Sequence, residues 1–141
     1  MWKRAAIVII ILLFWIPVNA QVLSFIGLSK EEVKNVMREN YKDFALDNSI
    51  TKQQFNYQKF VNNSQTITWI VYYSDKDICT STKKVCDYIE YDYVIRDLDK
   101  YFKKLKHQTW EYQEGKETIV FTIEEKDWYF SVRERVRESK K

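Results

Sequence analysis

Alternating apolar and polar positions predict two strands in the middle of the chain. The stretch Thr66–Tyr73 contains only β-branched and aromatic residues, which suit a pleated, half-buried surface. Val85–Asp92 alternates in a similar way. Between them, Ser74–Asp77 and Thr80–Lys84 are polar and typical of turns. We therefore predict an antiparallel pair of strands around which the rest of the chain is arranged.

A period near 3.6 residues predicts one helix on each side of this pair. Ser29 and Glu32 have the spacing of a capping box, and the helix that they start should fade between Asn40 and Ala45. Asp92 is the expected N-cap of a second helix, whose apolar positions recur as far as about His107.

Further strands complete the predicted fold. Gln54–Val61 precedes the central pair, and Thr109–Gln113, Thr118–Ile123 and Trp128–Val136 follow the second helix. The resulting order is αβββ–αβββ. We predict an α+β fold, with one or two antiparallel sheets and two helices packed on one side. The repeated order leaves open an internal structural duplication.

Residues 1–20 have the features of a secretory signal peptide. Lys3 and Arg4 form a basic start, Ala5–Ile16 is an unbroken apolar run, and compact residues follow up to Ala20. We predict cleavage after Ala20 and export, with a bacterial periplasm as the expected compartment.

An uncleaved membrane anchor is the alternative, because residues 5–28 carry no charge and are long enough to cross a bilayer. In either case residues 21–141 are expected to form a single domain, since the chain contains only 2 Gly and 1 Pro and has no linker-like segment.

The charge balance excludes one class of partner. The formal net charge is +3, and loss of Lys3 and Arg4 with the signal peptide would reduce it to +1. Nucleic-acid binding needs a dominant basic field, so we predict no nucleic-acid partner.

Two cysteines in an exported chain favour one disulfide. Cys79 and Cys86 flank the predicted connection between the central strands, which would bring them within bonding distance. A cysteine-based metal site is not expected, because there is no C-x-x-C and the one histidine, His107, is distant in sequence. We predict neither a metal nor a cofactor.

Candidate site residues fall into three groups. An acidic strand-to-helix corner could hold a cation or supply the carboxylates of a glycosidase, although helix N-terminal capping and solvation are the favoured explanation. Alternating arginines near the end of the chain could bind an anionic partner. Tyrosines on a free sheet face could bind peptides or sugars. The corner comprises Glu90, Asp92, Asp97 and Asp99; the arginines are Arg133, Arg135 and Arg137; the tyrosines are Tyr72, Tyr88, Tyr93 and Tyr129.

The segment Gly27–Met37 resembles a known family. Its G-x-[ST]-x-x-[DE]-V-x-x-[LM] pattern is similar to the opening helix of small envelope proteins, namely the outer-membrane assembly lipoproteins and the tandem αβ repeats of the β-lactamase inhibitor protein. The Gly-x-Pro and the lipidated cysteine of that family are absent. The resemblance implies a small exported interaction domain and transfers no site residues.

The leading functional prediction is a small, non-enzymatic, exported binding or envelope-accessory protein that acts through an aromatic sheet surface. Its expected partner is a protein, a peptide or an envelope polymer. The first alternative is a hydrolase of cell-envelope material that uses the acidic corner. The second is an interaction domain tethered to the membrane by its N-terminal segment.

Overall fold

The computed structural model describes residues 22–49 and 54–139. Within these ranges the helices are α1 (Lys30–Asn40) and α2 (Tyr91–Tyr101), and a single 3-10 turn, Tyr88–Glu90, leads into α2. The strands are β1 (Phe44–Leu46), β2 (Tyr57–Asn62), β3 (Ile67–Tyr73), β4 (Cys79–Asp87), β5 (Lys103–Lys106), β6 (Thr109–Glu114), β7 (Glu117–Glu125) and β8 (Tyr129–Val136).

Helix α1 begins with the predicted capping box. The Ser29 hydroxyl accepts a hydrogen bond from the Glu32 N–H at 3.2 Å, and the Ser29 N–H donates to Glu32 Oε2 at 2.7 Å. These bonds satisfy two donors that the helix start would otherwise leave unpaired. They also lower the pKa of Glu32. Val33 and Met37 form the buried side of the helix.

All eight strands form one antiparallel sheet in the order β1-β2-β3-β4-β8-β7-β6-β5. The mixed α+β class is therefore confirmed. The predicted order αβββ–αβββ is wrong, because each helix is followed by four strands. The additional strands, β1 and β5, are short and lie at the two edges of the sheet. The strands that close each half, β4 and β8, lie side by side at its centre.

The buried residues of both helices belong to the same core cluster as one face of the sheet. Met37 of α1 lies with Leu46 and Phe60, near the β1–β2 side. Helix α2 covers the other side, where Tyr91 packs edge-on against Phe130, with ring centroids 5.0 Å apart. Each helix thus covers its own half of the sheet.

The second helix is shorter than predicted. It ends at Tyr101, and Phe102 is extended, with φ −128° and ψ 157°. The Phe102 ring stacks on Phe121, with centroids 4.1 Å apart. Residues Lys103–Lys106, predicted to be helical, pair with β6 instead. Tertiary pairing has overridden local helix propensity here.

The predicted strand Val85–Asp92 is also displaced. The connection after β3 lies at Ser74–Ile78, where Asp77 has a φ of 59° and its N–H bonds to the Ser74 carbonyl. Strand β4 therefore begins at Cys79 and includes Thr80–Lys84, which the polar composition had indicated as a turn.

The predicted disulfide is wrong. Cys79 and Cys86 lie at opposite ends of the same strand, where they pair with Tyr73 and Ile67 of β3. Seven steps of about 3.3 Å put their Cα atoms roughly 20 Å apart, far beyond the ~7 Å that a disulfide allows. Both are buried free thiols. The cysteines therefore give no support to an oxidising compartment.

Only the end of the alternative membrane anchor, residues 5–28, lies within the described chain. Val22–Leu28 are not helical, and Phe25 and Ile26 are buried in the core, so these residues belong to the folded domain. The anchor itself stays a prediction. The predicted signal peptide lies outside the described residues. Within residues 22–49 and 54–139, neither helix is long and apolar enough to cross a membrane.

We predict that native protein will not react with iodoacetamide at a pH of about 8. Burial raises the pKa of Cys79 to about 12 and that of Cys86 to about 11, so the reactive thiolate is scarce. In denaturant without reductant, both thiols should be alkylated, as counted by intact mass. A reduced sample is the control and should give the same count. If labelling required prior reduction, the two cysteines would form a disulfide after all.

Candidate functional site

Three polar side chains lie on the inner face of the two central strands. Thr82 and Lys84 belong to β4, and Glu134 belongs to β8. Thr82 lies directly opposite Glu134, and Lys84 lies one rung along, opposite Val132. The flanking positions on this face are apolar, including Trp69 and Phe121. The polar group therefore sits at the junction of the two halves, between the areas that the two helices cover.

The Glu134 carboxyl group is buried and fully engaged. The hydroxyls of Ser24 and Thr82 donate to its two oxygens, the latter at 2.7 Å. Phe25 adds a backbone hydrogen bond. Burial nevertheless dominates and raises the pKa of Glu134 above its ordinary value of about 4.5. This contact fixes the N-terminal segment across the centre of the sheet.

The Lys84 ammonium group has an aromatic partner and no anionic one. Its Nζ lies 3.9 Å from the centroid of the Trp69 ring. None of the ion pairs in the described part of the chain includes Lys84. Burial lowers the pKa of Lys84, and the nearby carboxyl groups of Glu134 and Asp97 only partly oppose this. Lys84 is thus a half-buried, partly desolvated amine that has no ion-pair partner among the described residues.

Trp69 is held between two groups and keeps an unused donor. The Phe25 ring stacks on it, with centroids 4.6 Å apart and an interplanar angle of 21°. The Lys84 ammonium lies over the ring as well. The indole Nε1–H is buried and finds no hydrogen-bond partner among the described residues. An unpaired buried donor of this kind is unfavourable unless a further group binds it.

These residues line a cavity of about 540 Å³, which we call the central cavity. Its floor is the inner face of the sheet, and its walls are the N-terminal segment Val22–Phe25, the turn between α1 and β1, and helix α2. The volume is within the range usual for small-molecule sites.

Three carboxylates line the side of the cavity that faces away from the sheet, which we call its mouth; Asp43 is exposed, and Glu90 and Asp97 are half-buried. They are Asp43 from the α1–β1 turn, Glu90 from the 3-10 turn and Asp97 from α2. All three act on the Tyr93 hydroxyl and, after burial, are among the causes that raise its pKa. The mouth of the cavity is therefore acidic, whereas its floor carries a cation.

The predicted acidic corner is only partly assembled. Glu90 and Asp97 both line the central cavity. Asp92 is exposed in the first turn of α2, and Asp99 accepts a hydrogen bond from the Trp110 indole at 2.8 Å. In the described ranges, no group of three His, Cys, Asp or Glu residues is arranged to hold a metal ion.

The four predicted tyrosines do not form one surface. Tyr93 lines the central cavity. Tyr72 lies on the opposite face of the sheet, where its ring is 6.4 Å from that of Tyr57. Tyr88 and Tyr129 lie near the start of β8, and the Tyr88 hydroxyl donates to the Lys126 carbonyl. The four tyrosines are therefore spread over separate parts of the molecule, and an aromatic binding surface stays a prediction.

The predicted arginines are exposed on the face of the sheet that is opposite the cavity. Arg133 lies directly across from Lys83, which concentrates positive charge there. Arg135 lies on the next outward rung, opposite Ser81. Arg137 pairs with Glu111 at 2.8 Å. An anionic partner for this face stays a prediction.

Sequence reasoning missed Lys84 and Glu134 as site residues. The signal for Glu134 was present, because alternation from Phe130 and Val132 places residue 134 on the same inward face. Lys84 was hidden by its assignment to a turn. Once β4 is known to begin at Cys79, the same alternation from Cys86 places Lys84 inward.

Comparisons with protein families, curated proteins and solved structures find no significant match to this chain. Function must therefore be argued from the central cavity itself.

We predict that Glu134→Gln will change how stability depends on pH. The pKa of Glu134 is raised in the folded protein, so its contribution is present below about pH 4.5 and is lost as the pH rises towards the folded value. Each pKa unit corresponds to about 1.4 kcal/mol. Urea unfolding between about pH 4 and 8 should show this loss in the wild type and not in the variant.

The exposed Glu138→Gln variant is the control and should keep the wild-type slope. An unchanged slope in Glu134→Gln would show that Glu134 does not titrate as its burial implies.

Proposed function

We propose that this chain is a small, non-enzymatic, exported binding protein whose ligand site is the central cavity. The observation that carries the proposal is the buried Trp69 Nε1–H on the cavity floor, which has no hydrogen-bond partner among the described residues. The half-buried Lys84 ammonium lies over the same ring. An unpaired buried N–H costs about 1–3 kcal/mol of stability. A ligand that supplies an acceptor would offset this cost and would also pair with the Lys84 ammonium.

Two buried polar side chains elsewhere in the sheet have partners within the protein, whereas Gln108 Nε2, in the turn between β5 and β6, shares with Trp69 Nε1 the lack of a partner among the described residues. Gln58 accepts a hydrogen bond from the Tyr73 hydroxyl. Asn62 accepts the backbone N–H groups of Thr66 and Ile67, both at 2.9 Å. A purely structural role for Lys84 would call for a comparable set of partners. Lys84 has no such set of partners among the described residues, which favours a binding role.

The cavity is also preorganised. Trp69 is fixed by Phe25 on one side and by edge-on contacts with Tyr41 and Phe44, at centroid distances of 5.1 and 5.9 Å. A ligand would therefore meet walls that are already ordered, which lowers the entropic cost of binding. The ligand is a small molecule or the end of a peptide or envelope polymer, because the cavity volume limits what can enter.

Export belongs to this proposal and is supported by the sequence of residues 1–20 alone. The expected location is the bacterial periplasm or the medium, and the alternative is a tether confined to the residues before Val22. Intact mass of the protein purified from its host tests this directly. Loss of residues 1–20 supports export in a cleaved form, and a full-length mass supports the tether.

We also propose that the two halves of the fold are an internal structural duplication. Its support is that each half consists of one helix followed by four antiparallel strands, and that the halves join through their last strands, β4 and β8. The central cavity lies at this junction. The resemblance of Gly27–Met37 to small envelope αβ domains agrees with this reading and stays a prediction.

A hydrolase is the second candidate, because Glu90 and Asp97 face the same cavity. Two carboxyl groups flanking one pocket is the arrangement that glycoside hydrolysis requires. Binding is preferred, because the cavity keeps an unpaired buried donor, Trp69 Nε1, and the buried Glu134 is engaged by Ser24 and Thr82.

We predict that small carboxylic acids with an apolar body will bind the protein in a ligand-detected NMR screen, and that Lys84→Met will abolish binding. Lys83→Met is the matched control, because Lys83 is the neighbouring residue of β4 and lies on the other face of the sheet. The control should bind as the wild type does. Equal binding by both variants would place the ligand elsewhere.

The same variants test the energetic argument without a ligand. Lys84→Met should raise the free energy of unfolding by about 1 kcal/mol, because it replaces a partly desolvated cation that has no ion pair among the described residues with an apolar side chain. Lys83→Met should stay within about 0.5 kcal/mol of the wild type. A strongly destabilised Lys84→Met would show that the ammonium group serves the fold.

We expect the wild type to hydrolyse purified cell-wall polymer no faster than the Asp97→Asn variant does. The release of reducing ends measures the rate. Turnover by the wild type that is lost in both Glu90→Gln and Asp97→Asn, and kept in Asp92→Asn, would establish the hydrolase instead. Asp92 is the control because it is an exposed acid of the same helix.

A further inference from the structure

We infer that the central cavity takes a zwitterion, a compound in which an apolar or aromatic body joins a carboxylate to an ammonium group. Aromatic amino acids and short peptides are of this class. The inference rests on the proposed function and adds to it the chemistry of the ligand. It follows from the opposite charges that the cavity presents at its floor and at its mouth.

The floor selects an anionic acceptor. Trp69 Nε1 is a buried donor with no acceptor among the described residues. Lys84 Nζ is a half-buried donor over the same ring and belongs to none of the ion pairs in the described part of the chain. Glu134 interacts with Lys84 electrostatically but forms no ion pair with it, and its oxygens accept from Ser24 and Thr82. A carboxylate can accept from both donors at once and is the group that pairs best with a buried ammonium.

The mouth selects a cation. Asp43, Glu90 and Asp97 come from three different segments and converge on Tyr93. The ion pairs found among the described residues include none of the three. Glu90 accepts one hydrogen bond, from the Thr66 hydroxyl at 2.8 Å. An ammonium group placed among these carboxylates would be attracted by all three.

The walls between floor and mouth suit an apolar body. Val94 and Leu98 of α2 are buried and line the cavity, and Phe102 and Phe121 form a stacked pair beside them. The volume of about 540 Å³ admits a body larger than a single small side chain. Aromatic and branched side chains would bury apolar surface there.

The arrangement also disfavours the two simpler classes of ligand. A molecule with only negative charge would satisfy Lys84 and be repelled at the mouth. A molecule with only positive charge would suit the mouth and leave the floor donors unpaired. The zwitterion should therefore bind more tightly than its single-charge relatives by about tenfold to a hundredfold.

The test is isothermal titration calorimetry on protein purified from its host, with the start of the chain established by intact mass. The probes are phenylalanine and the dipeptide alanyl-phenylalanine, each compared with its N-acetyl and its C-terminal amide derivative. Acetylation removes the cation, and amidation removes the anion. For at least one of the two parent compounds, both derivatives should bind at least about tenfold more weakly than the parent does.

Two variants connect each charge to its end of the cavity. Lys84→Met should remove the difference between parent and amide, and Asp97→Asn should reduce the difference between parent and N-acetyl derivative. Lys83→Met and Asp92→Asn are the matched controls, because they neutralise a neighbouring charge on the same strand or helix outside the cavity. Both controls should keep the full pattern.

Each other outcome overturns a defined part of the argument. N-acetyl derivatives that bind as tightly as their parents, in a manner that needs Lys84, would overturn the zwitterion and leave the binding proposal standing. If the amides bound as tightly as their parents, the floor of the cavity would not be the group that binds the ligand's carboxylate. If neither these probes nor the carboxylic acids of the NMR screen bind, the proposed function fails as well.

Discussion

The buried carboxyl group of Glu134 connects the parts of the protein that form the central cavity. It accepts hydrogen bonds from Ser24 in the N-terminal segment and from Thr82 in the adjacent strand. A buried carboxyl group needs such partners, so the segment is held across the sheet. Phe25 is thereby placed on Trp69, over whose ring the Lys84 ammonium also lies. The order of the aromatic wall follows from this polar contact.

The sheet topology explains why a cavity is present at this position. The last strands of the two halves, β4 and β8, meet at the centre of one continuous sheet, while α1 and α2 cover the outer parts. The gap between the helices lies above the central strands. Polar residues are tolerated on the inner face there, since the adjoining space is not filled by a helix. Stability and binding therefore make opposing demands on the same few residues.

The opposite face of the sheet has a different character. It presents Lys83, Arg133 and Arg135 close together at the centre, and Arg137 pairs with Glu111 beside them. Like charges directly opposite one another on neighbouring strands are destabilising in isolation. They also discourage association between sheets, which is a sufficient reason for their presence. The cavity face and the basic face are thus separated by the full thickness of the sheet.

The sequence by itself determined the α+β class, the capped start of α1 and most of the strands, because capping and alternation depend on neighbours along the chain. It also contained the inward position of Glu134, through its alternation with Phe130 and Val132. Only the tertiary structure decided the ends of α2 and β4 and the separation of Cys79 from Cys86. Strand β5 forms where a helix was expected, since pairing with β6 outweighs local propensity. The central cavity was also decided only by the tertiary structure. Its lining residues Asp43, Lys84 and Asp97 are distant in sequence and come together only when the two halves share one sheet.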